Sequence, residues 1–207
     1  MRLNFIDLFA GLGGFHIGLS SLGHTCVFAS EINPALAELY RYNFSINSVV
    51  GDIKKINEID IPRHDILCAG FPCQPFSKAG DQLGLMDEIR GNLFNDILRI
   101  INHHRPKYIL LENVANLYKH DSGKTWRIIS SSLKELGYEV DYKILSPHNY
   151  SIPQICQRMF IVASSVGLDH FSWPEPTSYA NMSIRDVLEV DPPHARCILR
   201  WSGLGLQ

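Results

Sequence analysis

Three observations in this sequence predict an α/β fold built on a doubly wound, mostly parallel sheet. Strand patterns alternate with helix patterns from Leu3 to Ser164. A glycine-rich turn, Phe9-Ala10-Gly11-Leu12-Gly13-Gly14, joins the first strand pattern to the first helix pattern. Cys73 stands between Pro72 and Pro75, just past the apolar run Asp65-Ile66-Leu67-Cys68-Ala69. That is the sheet end where open α/β sheets hold their ligands.

The elements follow in order. Leu3 to Phe9 reads as a strand and Gly13 to Leu22 as a helix. Thr25 to Ser30 is a second strand; Pro34 then opens a helix to Phe44, with Asn33 as its N-cap. Ser48-Val49-Val50 is a short strand before Gly51-Asp52, and the run at Asp65 is the next. Phe76 to Gly91 is rich in Gly, Asp and Ser, lacks periodicity and exceeds the usual connection length, which marks it as a functional loop. Asn92 to His103 has Leu93, Ile97, Ile100 and Ile101 at helical spacing. Lys107 to Leu111 is a near-continuous apolar strand running into Glu112-Asn113. Lys124 to Leu136 is a helix closed by Gly137; Tyr138 to Leu145 and Met159 to Ser164 are the last strands. This divides the chain into a body, residues 1–165, and an irregular tail, residues 166–207, with a short helix expected at Ile184 to Val190.

Composition narrows the class. Hydrophobic residues make up 45% and charged residues 19% of 207, as in soluble globular proteins. No apolar run approaches the roughly 18 residues of a membrane span. Asp7 comes too early for a signal peptide. Cysteines 26, 68, 73, 156 and 197 are odd in number and show no Cys-x-x-Cys spacing, so no metal site and a reducing cytoplasm are expected. The net charge is −2, so any basic contacts to a nucleic acid must be local or supplied by another chain.

Two constellations carry chemistry. Pro72 and Pro75 fix φ near about −65° and remove two backbone donors, so the loop between them holds one thiol in one place. A core thiol would need no such stiffness. At the other constellation, glycines let the backbone of the first turn approach a ligand. Glu31 ends the second strand, where nucleotide folds bind ribose hydroxyls, and Asp52 ends the third. Asp7, inside its strand, is expected to orient the glycine turn. These features alone fit NAD, FAD or S-adenosylmethionine.

Taken in order, Phe9 to Gly14, Glu31, Asp52, Phe71-Pro72-Cys73-Gln74-Pro75-Phe76-Ser77, Gly91-Asn92-Leu93-Phe94 and Glu112-Asn113-Val114 resemble the DNA (cytosine-5) methyltransferases. The resemblance covers roughly residues 3–164. It implies a Rossmann-like, seven-stranded sheet with one reversed strand near the edge, and S-adenosylmethionine as cofactor. It implies a cofactor pocket of Phe9, Gly11, Leu12, Gly14, Glu31, Ile32, Asp52, Ile53, Gly70, Pro72 and Leu93, with Glu31 on the ribose and Asp52 and Ile53 on the adenine. Cys73, Gln74, Glu112 and Arg158 are then the catalytic group. Ser77, Lys78, Gln154 and Arg158 are the nucleic-acid contacts. Cys73 would add to cytosine C6, Glu112 would stabilise charge on the ring, and Asn113 would fix the Glu112 loop. A base inside double-stranded DNA must be flipped out for this. The setting implied is DNA methylation in restriction-modification.

Two departures qualify the resemblance. The segment Ile152-Pro153-Gln154-Ile155-Cys156-Gln157-Arg158 carries Cys156 where the family has a first arginine, and cysteine lacks that fork of donors. The family's target-recognition region and its last Asn-containing motif are not visible before Gln207. A second polypeptide is therefore expected to supply the recognition region. The alternative readings are a catalytically silent remnant that binds a partner and an RNA cytosine methyltransferase. A nicotinamide dehydrogenase fits worst, because nothing in it calls for Pro-Cys-Gln-Pro.

Overall fold

A computed structural model describes residues 1–46, 49–72 and 93–177. Cys73, Gln74, Ser77, Lys78, the loop from Phe76 to Gly91 and the expected helix at Ile184 to Val190 lie outside the described residues. One seven-stranded sheet forms the body, in the order β3-β2-β1-β4-β5-β7-β6. The strands are β1 (Asn4–Leu8), β2 (Thr25–Ser30), β3 (Val49–Val50), β4 (Ile66–Gly70), β5 (Tyr108–Val114), β6 (Glu139–Leu145) and β7 (Arg158–Ser164). Only β7 runs against its neighbours, β5 and β6. The mostly parallel sheet with one reversed strand next to the edge is thus as the sequence predicts.

Among the described residues four α-helices connect the strands: α1 (Gly14–Ser21), α2 (Pro34–Phe44), α3 (Leu93–His104) and α4 (Lys124–Glu135). Asn33 caps α2 as expected, its side chain accepting from Ala35 N at 3.0 Å and Leu36 N at 3.3 Å. Gly137, at φ +87°, closes α4 through its N–H to Lys134 O at 2.9 Å. The core joins β1, β4, β5 and β7 to α3 and α4 through Leu8, Leu67, Leu111, Ile161, Ile97 and Ile129, all with no exposed surface. β4 is buried on both faces, which explains its continuous apolar run, whereas β5 is fully buried on one face only. The opposite side of β5 is less covered: Tyr108 is 37% and Val114 40% exposed.

Beyond β7 the chain turns back along β6. Leu168 N donates to Glu139 Oε2 at 2.6 Å and Trp173 Nε1 to Asp141 Oδ2 at 2.7 Å. Thr177 N reaches Asn149 O at 2.9 Å. Among the described residues no helix is long and apolar enough to cross a membrane, and no group of three or more His, Cys, Asp or Glu is placed to hold a metal.

Candidate active site

The glycine turn is built by steric necessity. A Cβ on Gly13 would sit 2.2 Å from a ring carbon of Phe44 and 3.1 Å from Tyr40, and its φ of +83° excludes most side chains. Phe9 itself holds φ +57°. For a bulky residue that costs on the order of 1–3 kcal/mol and is typical of ligand clamps. Hydrogen bonds from Ala10 N to Ser30 O (2.9 Å) and from Gly13 N to Ala10 O (2.8 Å) hold the turn against β2.

Asp7 lies beneath the turn, 1% exposed. Tyr40 donates to its Oδ2 at 3.1 Å, and His16 Nδ1 meets the same hydroxyl at 2.7 Å. The other oxygen, Oδ1, is buried without a partner. Burial pushes the Asp7 carboxyl up to about 7, against the Tyr40 hydroxyl and the His16 amide, which lower it, while Glu31 adds to the rise. Asp7 therefore ties β1 to α1 and α2 under the glycine turn, the orienting role its place in the strand suggests.

A cleft of about 280 Å³ opens above this turn, lined by Phe9, Ser30, Glu31, Ile32, Gly51, Asp52, Ile53, Gly70, Pro72 and Leu93. Its volume is near the lower end of the roughly 300–1,000 Å³ of ligand pockets. Glu31 is the most tightly set of these groups. Its Oε2 accepts from Gly11 N and its Oε1 from Asn33 N, both at 2.8 Å. Each carboxylate oxygen keeps a second lone pair. Asp52 Oδ1 accepts from Lys54 N at 3.1 Å. Of the expected pocket residues, Gly11 acts through its amide on Glu31, whereas Leu12, 64% exposed, and Gly14 stand outside the lining. Ser30 and Gly51 were not expected in the cleft; each is the neighbour of an expected acid at a strand end, which is the signal that marks them.

The second half of the site sits at the carboxyl end of β5. Glu112 pairs with Gly70 on one side and with Phe160 on the other. A Cβ on Gly70 would lie 3.4 Å from Glu112 Oε2, so the end of β4 stands at contact distance from that carboxylate. The register Val114–Arg158 sets Arg158 diagonally across from Glu112 on the same sheet face. Their side chains meet, Arg158 Nε to Glu112 Oε1, at 2.9 Å. Burial raises the Glu112 carboxyl above its ordinary value and Arg158 opposes the rise. Asn113, 2% exposed, donates through Nδ2 to Phe71 O at 2.8 Å and accepts from Val114 N at 2.9 Å. It thereby fixes the residue just before Pro72 and Cys73 as well as its own strand. Beside Arg158 lies an apolar cavity of about 460 Å³ that Gln154 and Cys156 also line.

Residues 3–200 match the C-5 cytosine-specific DNA methylase family. The chain belongs to that family. It is 42% identical over 191 residues to the type II methyltransferase M.HhaI of Haemophilus parahaemolyticus, covering 91% of this chain and 58% of that protein. To M.BsuFI of Bacillus subtilis it is 43% identical over 194 residues, covering 93% of this chain and 47% of the other. Among solved structures, the S. pombe Dnmt2 methyltransferase superimposes with a TM-score of 0.72 at 27% identity, over 92% of this chain and 62% of that one. The chain spans about half the length of the curated relatives it matches. S-adenosylmethionine is the methyl donor of this DNA methylase family. The cleft suits it: fixed carboxylate acceptors at Glu31 and Asp52 lie among apolar walls at Phe9, Ile32, Ile53 and Leu93.

Proposed function

We propose that this chain methylates C5 of cytosine in double-stranded DNA through a covalent Cys73 adduct. The observation that carries the reading is the Arg158–Glu112 pair, 2.9 Å apart, which adjoins Gly70 at the stem of the Cys73 loop. Glu31 accepts the ribose hydroxyls of the cofactor, and Asp52 with Ile53 holds its adenine. S-adenosylmethionine supplies an electrophilic methyl group when bound. The Cys73 thiolate adds to C6, forming an S–C bond and raising electron density at C5. Glu112 in its protonated form donates to N3 and neutralises charge on the ring, and burial favours that form. C5 would then take the methyl group as its bond to the sulfonium breaks and a neutral thioether leaves; a base would remove the C5 proton, the C6–S bond would break and Cys73 would depart as the thiolate.

Residues 1–165 are the cofactor-binding and catalytic body. Residues 166–207 lead toward a recognition region carried by a second polypeptide. Support for a partner comes from apolar residues left open, Leu12, Ile17 and Leu22 at 64%, 60% and 73% exposure. Cys156 removes a cationic anchor from the catalytic half, which adds to the need for one elsewhere. The thiols of Cys26, Cys68 and Cys156 are free, in keeping with the reducing cytoplasm in which such an enzyme would work.

Transfer of tritiated methyl groups to duplex DNA tests the reading. The chain is assayed alone and with the part of M.HhaI that it does not span, supplied as a separate polypeptide. We expect incorporation at cytosine C5 that depends on the second polypeptide. No incorporation with either preparation supports a silent remnant, and incorporation into tRNA but not DNA overturns the substrate.

A further inference from the structure

The net charge of −2 leaves open where the described body would meet a DNA backbone. The stretch from Tyr118 to Arg127 is locally basic. Between Tyr118 and Arg127 three cations, Lys119, Lys124 and Arg127, face one carboxylate, Asp121, for a local net charge of +2. The stretch folds as a turn at Ala115–Tyr118, a second at His120–Gly123 and the start of α4. Asp121, Ser122 and Gly123 all have positive φ, at 50°, 53° and 79°, and bend the chain back on itself.

The result is a cleft of about 400 Å³ lined by Tyr118, Lys119, Ser122, Gly123, Trp126 and Arg127. Its rings are braced from below: Tyr142 of β6 stacks on Tyr118 at 5.1 Å and lies against Trp126 at 4.6 Å. Tyr118 remains 39% exposed. Two rigid rings flanked by a lysine and an arginine make a wall suited to a sugar–phosphate chain. The ammonium takes a phosphate as a point charge, the guanidinium takes one through its fork, and the rings pack the sugars. The turn at Ala115 follows directly on the strand that carries Glu112, so cleft and catalytic carboxylate share one end of the sheet.

We infer that this cleft binds the phosphodiester backbone of the DNA substrate beside the target cytosine, with Lys119 and Arg127 on phosphates and Tyr118 and Trp126 against the sugars. The inference rests on the DNA methyltransferase reading. It also gives DNA-backbone binding a local origin in a chain whose net charge is −2.

The test is fluorescence anisotropy of a labelled duplex with the full chain over about 50–200 mM salt. Wild type is compared with Lys119→Gln/Arg127→Gln and with a charge-matched control, Lys55→Gln/Lys134→Gln, at exposed sites elsewhere. Each phosphate contact contributes about 0.9 to the slope of log affinity on log salt. Losing two lowers the slope by about 1.8 and weakens binding about sixtyfold at 0.1 M salt, whereas the control stays within a few-fold of wild type. S-adenosylmethionine binding by calorimetry shows that both variants remain folded. Equal affinity and slope in the Lys119/Arg127 variant and wild type overturns the inference and leaves the methyltransferase reading intact; a cleft made for a protein partner gives that result. Absence of duplex binding by wild type also overturns it, and the methyltransferase reading then stands on methyl transfer alone.

Discussion

Replacing Asp7 with Asn should change how stability depends on pH, and the sign follows from the burial of Asp7. The carboxyl is 1% exposed and is raised from 3.8 to about 7, first by burial. The folded chain therefore holds this proton more tightly than the unfolded chain does. The stabilising contribution is complete below about pH 4 and is lost as pH rises through about 7. At about 1.4 kcal/mol per unit, the rise is worth on the order of 4 kcal/mol. His64 acts in the opposite direction. Burial lowers it from 6.5 to about 4, so its contribution is present above pH 6.5 and is lost as pH falls through about 4. The two offset each other in the wild type, and only a difference measurement separates them. Asn cannot ionise, but it still accepts from the Tyr40 hydroxyl, which donates to Asp7 Oδ2 at 3.1 Å. Urea unfolding of wild type and Asp7→Asn across that range should show the wild type losing about 4 kcal/mol relative to the variant from about pH 4 to about pH 8. Parallel stability curves would refute the reasoning, since they would mean that Asp7 titrates alike in both states.

Three further outcomes are expected. Gly13→Ala meets Phe44 at 2.2 Å with φ at +83°, so it should destabilise by at least about 1–2 kcal/mol and lower Tm in a thermal scan. Glu31→Ala removes both bonds that fix the glycine turn and the Asn33 amide, and should weaken S-adenosylmethionine binding about ten- to a hundredfold by calorimetry; equal affinity would remove Glu31 from the site. Arg158 holds the Glu112 carboxyl down against burial, so Arg158→Gln should shift the high-pH fall in methylation rate to higher pH while slowing the reaction; an unmoved pH profile would separate Arg158 from Glu112.

Local signals were enough for much of the fold. Asn33-Pro34 starts α2 and Gly137 ends α4, where the chemistry of one or two residues decides the conformation. The cleft was legible for the same reason: acids and glycines at strand ends mark it, and Glu31 and Asp52 lie there. What the sequence hid depends on distant partners. β5 continues through Glu112 to Val114 because β7 pairs with it, and that register alone brings Arg158 to Glu112. The reach of Asn113 back to Phe71 spans 42 residues and the Tyr40–Asp7 bond 33. No periodicity reports such contacts. The cleft at Tyr118 was hidden by its construction from short turns with positive φ at Asp121 and Ser122, conformations that those residue types adopt only occasionally.

Covalent catalysis by Cys73 has one direct test. The chain is mixed with S-adenosylmethionine, a duplex containing 5-fluorocytosine at the target position, and the unspanned part of M.HhaI as a second polypeptide. Fluorine cannot leave C5 as the proton does, so the adduct should persist through denaturation, and peptide mass spectrometry should find the nucleotide attached at Cys73. The adduct is expected in the wild type and is lost in Cys73→Ala. Cytosine methylation that survives Cys73→Ala, or an adduct on any other residue, would contradict covalent catalysis by Cys73.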